Sequence, residues 1–280
     1  MEDFPSVPQP FFLSVAEGRL FCIYHEPVLP VRGNVLVVPA FNEEMNRCRS
    51  MVTIQAQELA RHGIGTLVVD LLGTGESDGQ YNDARWELWL DNVRQARKWL
   101  DNRPGGCAAL LGIRLGVPLA FESIAGDMHA PAVIAWQPVI DGKQYLTQFM
   151  RMRIAGNMDR TDIPKETSNT LRATLSEGNS IEIAGYEIHP EMAVALDKVR
   201  LVTLAPLNGV SVAWFEKGNG EDLAILPASR QLLDTWKQAG TQVFEESFDG
   251  PAFWALHDRF TAPALIRKTA NYVQSLVTKK

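Results

Sequence analysis

The sequence predicts an α/β fold: a mainly parallel sheet of about eight strands, helices on both of its faces, and an inserted cap. Two observations carry this. Strand-like and helix-like runs alternate through most of the 280 residues, the pattern of a sheet whose strands are joined by helical crossovers. A buried apolar strand, Cys107-Ala-Ala-Leu-Leu111, also runs straight into Gly112-Ile-Arg114-Leu-Gly116 and then into a helix. Small residues there flank a tight strand-to-helix junction where backbones must approach closely. With 46% hydrophobic residues the chain can bury a sizeable core, and an α/β architecture of this length is often one domain.

The elements follow in order. Short apolar stretches at 11–13 and 19–24 read as opening strands. Asn34-Val-Leu-Val-Val-Pro39 and Gly65-Thr-Leu-Val-Val-Asp70 are β-branched runs suited to strands buried on both faces. Between them, residues 46–62 carry a helical pattern that stops at His62-Gly63, where glycine suits a helix C-cap. From Asp83 to Leu100, Trp86, Leu88, Trp89, Leu90, Val93, Ala96, Trp99 and Leu100 recur at a spacing close to that of an amphipathic helix. The strand at 107–111, the junction, a helix at 115–125 and a strand at 132–136 follow. The rhythm then breaks from 140 to about 202: helical patterns at 144–157 and 165–176 give way to strand-like Ser180-Ile-Glu-Ile-Ala184. This stretch reads as a cap over the sheet, dividing the chain into a core of 1–139 and 206–280 and a cap of 140–205. Such lids cover sites and supply specificity. A strand at 210–215, a helix at 227–239, a strand at 242–248 and a helix at 262–277 complete the core.

Composition narrows the function classes. A net charge of −6 with 21% charged residues argues against a nucleic-acid footprint. Cys22, Cys48 and Cys107 are scattered without CxxC spacing, which argues against a disulfide framework and a zinc site and fits a reducing compartment. The first residues, Met1-Glu-Asp-Phe-Pro, lack a basic stretch followed by an apolar one, and no apolar run reaches membrane-spanning length. A soluble cytoplasmic protein without cofactor or metal is the expectation.

Three local signatures carry the chemistry. Asp70-Leu-Leu-Gly73-Thr-Gly75-Glu-Ser77-Asp-Gly79 is a strand emptying into a glycine-rich loop. A phosphate cradle is the competing reading, but the P-loop lysine is missing and no helix opens on the glycines. The second signature is the Gly112-x-Arg114-x-Gly116 junction, and the third is the loop Pro39-Ala-Phe41-Asn42-Glu43-Glu44-Met-Asn46 after the first long strand. Together they resemble α/β-hydrolases, in which the junction is the nucleophile elbow and backbone N–H groups of the loop and of the residue after the nucleophile form an oxyanion hole. Phe41 and Leu115 are the matching donors. Arginine stands where the nucleophile belongs.

The resemblance narrows further. The loop Pro-Ala-Phe-Asn-Glu-Glu-Met-Asn, the Gly-Ile-Arg-Leu-Gly elbow, Ala184-Gly185-Tyr186 and Phe253-Trp254 look like the exosortase A system-associated hydrolase 2 proteins, over nearly the whole chain. That resemblance implies a bacterial setting of exosortase and exopolysaccharide loci, with a second, distantly related hydrolase of the same locus as a possible partner. Carried over residue by residue, the triad acid falls on Asp222, with Glu221 second. Where the family superfold has Gly-His, this chain has Gly250-Pro251, and His257 follows six residues later. If Asp222 oriented its ring, His257 could act as a base.

Arginine is not a nucleophile at ordinary pH. Arg114 has three roles open to it: an ion pair with Glu43 or Glu44, a bidentate grip on a ligand carboxylate or phosphate, or an electrophilic part in catalysis. Ser77, Cys48 and Ser123 are the remaining candidate nucleophiles, Cys48 because a helix N-terminus lowers a thiol pKa. The aromatics Trp136, Tyr145, Phe149, Tyr186, Phe253 and Trp254 are expected around the pocket, suiting a ligand with an apolar body and an anionic or acyl end. Two readings follow: a binding or accessory protein that has lost serine-type chemistry, or an active acyl or ester hydrolase using Asp222, His257 and Arg114.

Overall fold

The computed structural model describes residues 6–158, 160, 164–204, 210–218, 224–256 and 258–278. Two antiparallel strands, β1 (Ser6–Val15) and β2 (Gly18–Pro27), open the chain as a hairpin. Then come β3 (Gly33–Val38), α1 (Glu43–Ala60), β4 (Ile64–Val69), α2 (Trp86–Asp101), β5 (Cys107–Ile113), α3 (Gly116–Ser123) and β6 (Ala132–Trp136). The crossover to the next sheet strand holds α4 (Gly142–Gly156), α5 (Ser168–Ser176), the hairpin β7 (Ile181–Ile183) with β8 (Tyr186–Ile188), and α6 (Pro190–Lys198). It is followed by β9 (Ser211–Lys217), α7 (Pro227–Gln238), β10 (Gln242–Phe248) and α8 (Pro263–Thr278).

Eight strands form one sheet in the order β1-β2-β4-β3-β5-β6-β9-β10. β1–β2 and β2–β4 are antiparallel and every pair from β4 onward is parallel. Parallel neighbours need crossover connections, which put helices on both faces. One core joins the sheet to α2, α3, α7 and the β6–β9 crossover through Trp86, Trp89, Val117, Trp236 and Leu146. The other joins it to α1 and α8 through Met51, Leu59, Leu265 and Val273. β3 and β5 are buried at every position, as their uninterrupted apolar runs require.

Three elements differ from the sequence reading. α1 begins at Glu43, three residues earlier than expected, so both glutamates lie in its first turn rather than in a loop; acidic side chains are favourable there because they face the helix dipole. Ile181–Ile183 is half of a hairpin whose partner begins at Tyr186, with Ala184 and Gly185 turning at φ +53° and +84°. α6 had no counterpart in the reading, although Pro190 at its first turn is a helix-start signal. Among the described residues no helix is long and apolar enough to cross a membrane.

Candidate functional site

β5 ends at Ile113 and α3 begins at Gly116, so Arg114 and Leu115 make the turn between them. Arg114 sits at φ +55°, a left-handed conformation that costs a non-glycine residue about 1–2 kcal/mol. Surrounding contacts hold it there. Its N–H donates to Trp136 O at 2.9 Å, and its carbonyl accepts from the N–H groups of Val117 and Val139, each at 3.2 Å. The flanking glycines are steric necessities: a Cβ at Gly116 would lie 2.4 Å from the carbonyl oxygens of Val38 and Pro39, and one at Gly112 would lie 2.6 Å from Val117 Cα. The strained strand-to-helix elbow is formed, and the residue at its centre carries a guanidinium.

That guanidinium has protein partners. Nε donates to Glu44 Oε1 at 3.1 Å and Nη1 to Gln137 O at 3.1 Å. The guanidinium carbon is 5.8 Å and 5.5 Å from the ring centroids of Tyr145 and Trp254, within cation–π range. Among the described residues Nη2 meets no acceptor. The Arg114 and Glu44 side chains are only 16% and 17% exposed, so the pair is screened far less than a surface one. Glu44's other oxygen accepts from Tyr145 Oη at 2.9 Å. The ion-pair role is therefore realised, and the partner is Glu44.

Glu43 points elsewhere, accepting from Tyr186 Oη at 3.2 Å and lying 3.8 Å from Arg47 Nε. Asn42 stands at φ +55° and accepts from Tyr81 Oη through Oδ1, while its buried amide nitrogen has no partner among the described residues. Three tyrosine hydroxyls, one before α2, one on α4 and one on β8, thus converge on Asn42, Glu44 and Glu43. Burial holds Tyr81 and Tyr145 well above the ordinary tyrosine range, the Glu44 charge adding to the effect at Tyr145. Burial and then Glu43 push Tyr186 up to about 12. All three are donors at neutral pH.

Phe41 is buried, with its ring centroid 5.7–6.0 Å from those of Tyr81, Trp89, Tyr145 and Phe149. Leu115 is likewise buried. Their backbone N–H groups make no hydrogen bond among the described residues. A cleft of about 440 Å³ is lined by Arg114 together with Gln137, Asp141, Gln144, Tyr145, Arg200 and Glu216 among others. Glu216 went unnoticed in the sequence. It is buried, its carboxylate accepting from Trp214 Nε1 at 2.8 Å and Leu226 N at 3.1 Å; a glutamate directly continuing the apolar run from Val212 to Phe215 was the available signal.

Several expectations need correction. Cys48 does not open α1 but is its sixth residue, buried, and desolvation first and Glu44 second raise its thiol instead of lowering it. Ser77 Oγ donates to Asp70 O at 2.6 Å and accepts from Phe21 N at 2.8 Å, and Ser123 Oγ donates to Ala120 O at 2.7 Å; both are structural. Trp136 and Phe253 belong to the core beneath α8, where Trp136 Nε1 donates to Thr269 Oγ1 at 2.9 Å. Tyr145, Phe149, Tyr186 and Trp254 do surround the elbow and loop. Asp222, Glu221 and His257 lie outside the described residues.

No family model matches the chain, and no curated protein matches its sequence. Solved structures do resemble it. Est1E from Butyrivibrio proteoclasticus, solved with ferulic acid bound, superposes with a TM-score of 0.65 at 14% identity over 96% of this chain and 98% of its own. GrgF, an alpha/beta hydrolase from Penicillium sp. sh18, gives 0.63 at 16% identity over 97% and 99%. A carboxyl esterase from Bacillus coagulans gives 0.62 at 11% over 97% and 99%. Strand order, crossovers and these likenesses agree: the chain has the α/β-hydrolase fold.

Proposed function

We propose that this chain is a pseudoenzyme of the α/β-hydrolase fold: it has lost serine-type ester hydrolysis and binds a small molecule with an apolar body and an anionic end beside Arg114. The observation that carries the reading is the elbow itself, where a φ +55° arginine is held by Glu44 and Gln137 O. A guanidinium cannot attack a carbonyl, but Nη2 is left to meet a carboxylate or phosphate, and the cleft beside it has room for an apolar body. Arg200 and Asp141, paired with each other at 3.2 Å, also line the cleft, so Arg200's charge is offset and the anionic end falls to Arg114. Residues 140–205 act in this reading as the cap that shapes the cleft. The motif resemblance to exosortase A system-associated hydrolase 2 proteins supports an accessory role in exosortase- and exopolysaccharide-linked metabolism, beside the second hydrolase of such loci, in the cytoplasm.

The test pairs chemistry with binding. Purified protein is treated with a fluorophosphonate probe and with p-nitrophenyl acetate and butyrate, and ferulate, the ligand seen in Est1E, is titrated calorimetrically into wild type and Arg114→Gln. We expect no labelling, no turnover, and ferulate binding that Arg114→Gln removes. Turnover that disappears in His257→Ala overturns the reading in favour of an active hydrolase using Asp222, His257 and Arg114. Ferulate binding unchanged by Arg114→Gln removes the arginine's role.

A further inference from the structure

Gln137 directly follows β6, whose last residue pairs with Ile113 of β5 on one side and Phe215 of β9 on the other. Like Arg114 it stands in the left-handed region, at φ +44°, a conformation that a non-glycine residue keeps only where its surroundings impose it. They do so here. Its N–H donates to Phe215 O at 2.8 Å, its carbonyl accepts from Arg114 Nη1 at 3.1 Å, and its Oε1 accepts from Lys217 N at 2.7 Å. One glutamine thus ties three strand ends together and steadies the guanidinium.

One polar group of Gln137 is left over. Its Nε2, like Nη2 of Arg114, makes no hydrogen bond among the described residues. Both side chains line the Arg114 cleft, and neither nitrogen is among the enclosed polar atoms that lack a partner, so both are reached by solvent. Charge around them is balanced: Arg114 and Arg200 line the cleft, and so do Asp141 and Glu216. Each arginine already has its carboxylate, Glu44 for Arg114 and Asp141 for Arg200. Among the described residues, Glu216 is met by the neutral N–H groups of Trp214 and Leu226. A ligand with one negative charge finds two free donors here; a second negative charge finds repulsion and no further cation.

We propose that Gln137 is the second half of an anion grip: Arg114 Nη2 and Gln137 Nε2 each donate to one oxygen of a ligand carboxylate, and the balanced charge around them turns away a phosphate dianion. A carboxylate has the two acceptor oxygens that two donors from neighbouring strand ends require. The grip rests on the binding role proposed for Arg114 and narrows the ligand to a carboxylate with an apolar body.

Benzoate, phenyl phosphate and benzamide present a carboxylate, a phosphate and a neutral end on one ring. Each is titrated into the full chain at pH 8, where phenyl phosphate is a dianion because its second pKa is about 6, with calorimetry and the nitrogen–proton correlation spectrum of the side-chain amides as readouts. Gln137→Glu loses the donor and keeps an oxygen for Lys217 N. The Gln137 amide signal is the one missing from that variant or, should it not fold, from Gln137→Met. In wild type benzoate saturates one site and moves that signal, phenyl phosphate binds more weakly, and benzamide does not saturate. Gln137→Glu weakens benzoate about tenfold or more, the size of one charge-assisted hydrogen bond, without lowering the unfolding midpoint. Benzoate binding that Arg114→Gln removes, but that leaves the Gln137 signal unmoved and is as tight in Gln137→Glu as in wild type, overturns the grip and leaves the binding role of Arg114 standing. No saturable benzoate binding in wild type overturns both. Phenyl phosphate binding as tightly as benzoate overturns the carboxylate selectivity.

Discussion

Arg114 Nε and Glu44 Oε1 meet at 3.1 Å across 70 residues of sequence, tying the tip of β5 to the first turn of α1. The residue at the centre of the elbow is one half of a partly buried ion pair. Removing one member leaves the other charge short of a partner in a poorly solvated site. Arg114→Ala and Glu44→Ala are each expected to cost about 2 kcal/mol. The double variant should cost less than their sum, with a coupling of about 1–2 kcal/mol. Denaturant unfolding of the four proteins measures this, and strict additivity refutes it.

Gly116→Ala tests the elbow without touching charge. The added methyl would press against two carbonyl oxygens of β3 and its following loop, and backbone cannot swing aside as a side chain can. We expect a loss of about 3 kcal/mol, read as a lower unfolding midpoint with an unchanged denaturant slope. A wild-type midpoint would mean that the elbow opens more easily than its packing indicates.

The tyrosines give a pH signature. All five, Tyr24, Tyr81, Tyr145, Tyr186 and Tyr272, are held above their ordinary value, chiefly by burial, with Tyr186 and Tyr272 up to about 12. A raised tyrosine pKa means that the folded state keeps protons which the unfolded chain gives up near pH 10. This stabilisation is therefore complete below about pH 10 and is lost as pH rises toward the folded values. Absorbance at 295 nm should show no tyrosine ionising near pH 10, and the main rise should coincide with loss of the near-ultraviolet circular dichroism. Even one tyrosine titrating at pH 10 in folded protein contradicts this.

Tyr145→Phe isolates one hydroxyl of that group. It removes the second hydrogen bond to the Glu44 carboxylate, with an expected cost of about 1.5–3 kcal/mol. In an Arg114→Ala background the cost should change, because both groups share Glu44; identical costs in the two backgrounds would show that they act independently.

The cysteines should be silent. Burial pushes Cys22 up to about 12 and raises Cys48 further, and all three cysteines are buried. The thiolate is the reactive form, so an aromatic disulfide reagent at pH 8 should modify none of them until the protein unfolds. Rapid modification of Cys48, located by mass spectrometry, would restore it as a candidate nucleophile.

What the sequence determined by itself is whatever depends on neighbours along the chain. Hydrophobic period, β-branched runs and helix-end signals place nearly every sheet strand and core helix, and the glycines around Arg114 mark a tight elbow because close backbone approach excludes any Cβ. That arginine stands at the centre of the elbow is also legible, since it is a matter of residue identity. Tertiary structure decided the rest. Glu44 rather than Glu43 meets Arg114 because α1 starts at Glu43 and successive helical residues project about 100° apart; a one-residue choice of that kind is not written in spacing. Cys48 reads as a helix-end thiol in sequence and as a desolvated one in the fold, because burial is set by what packs against α1. The convergence of Tyr81, Tyr145 and Tyr186 on three consecutive residues, and of Glu216 on the Arg114 cleft, arises from segments far apart in sequence. Local physics selects each element, but only their mutual packing determines which side chains share a site.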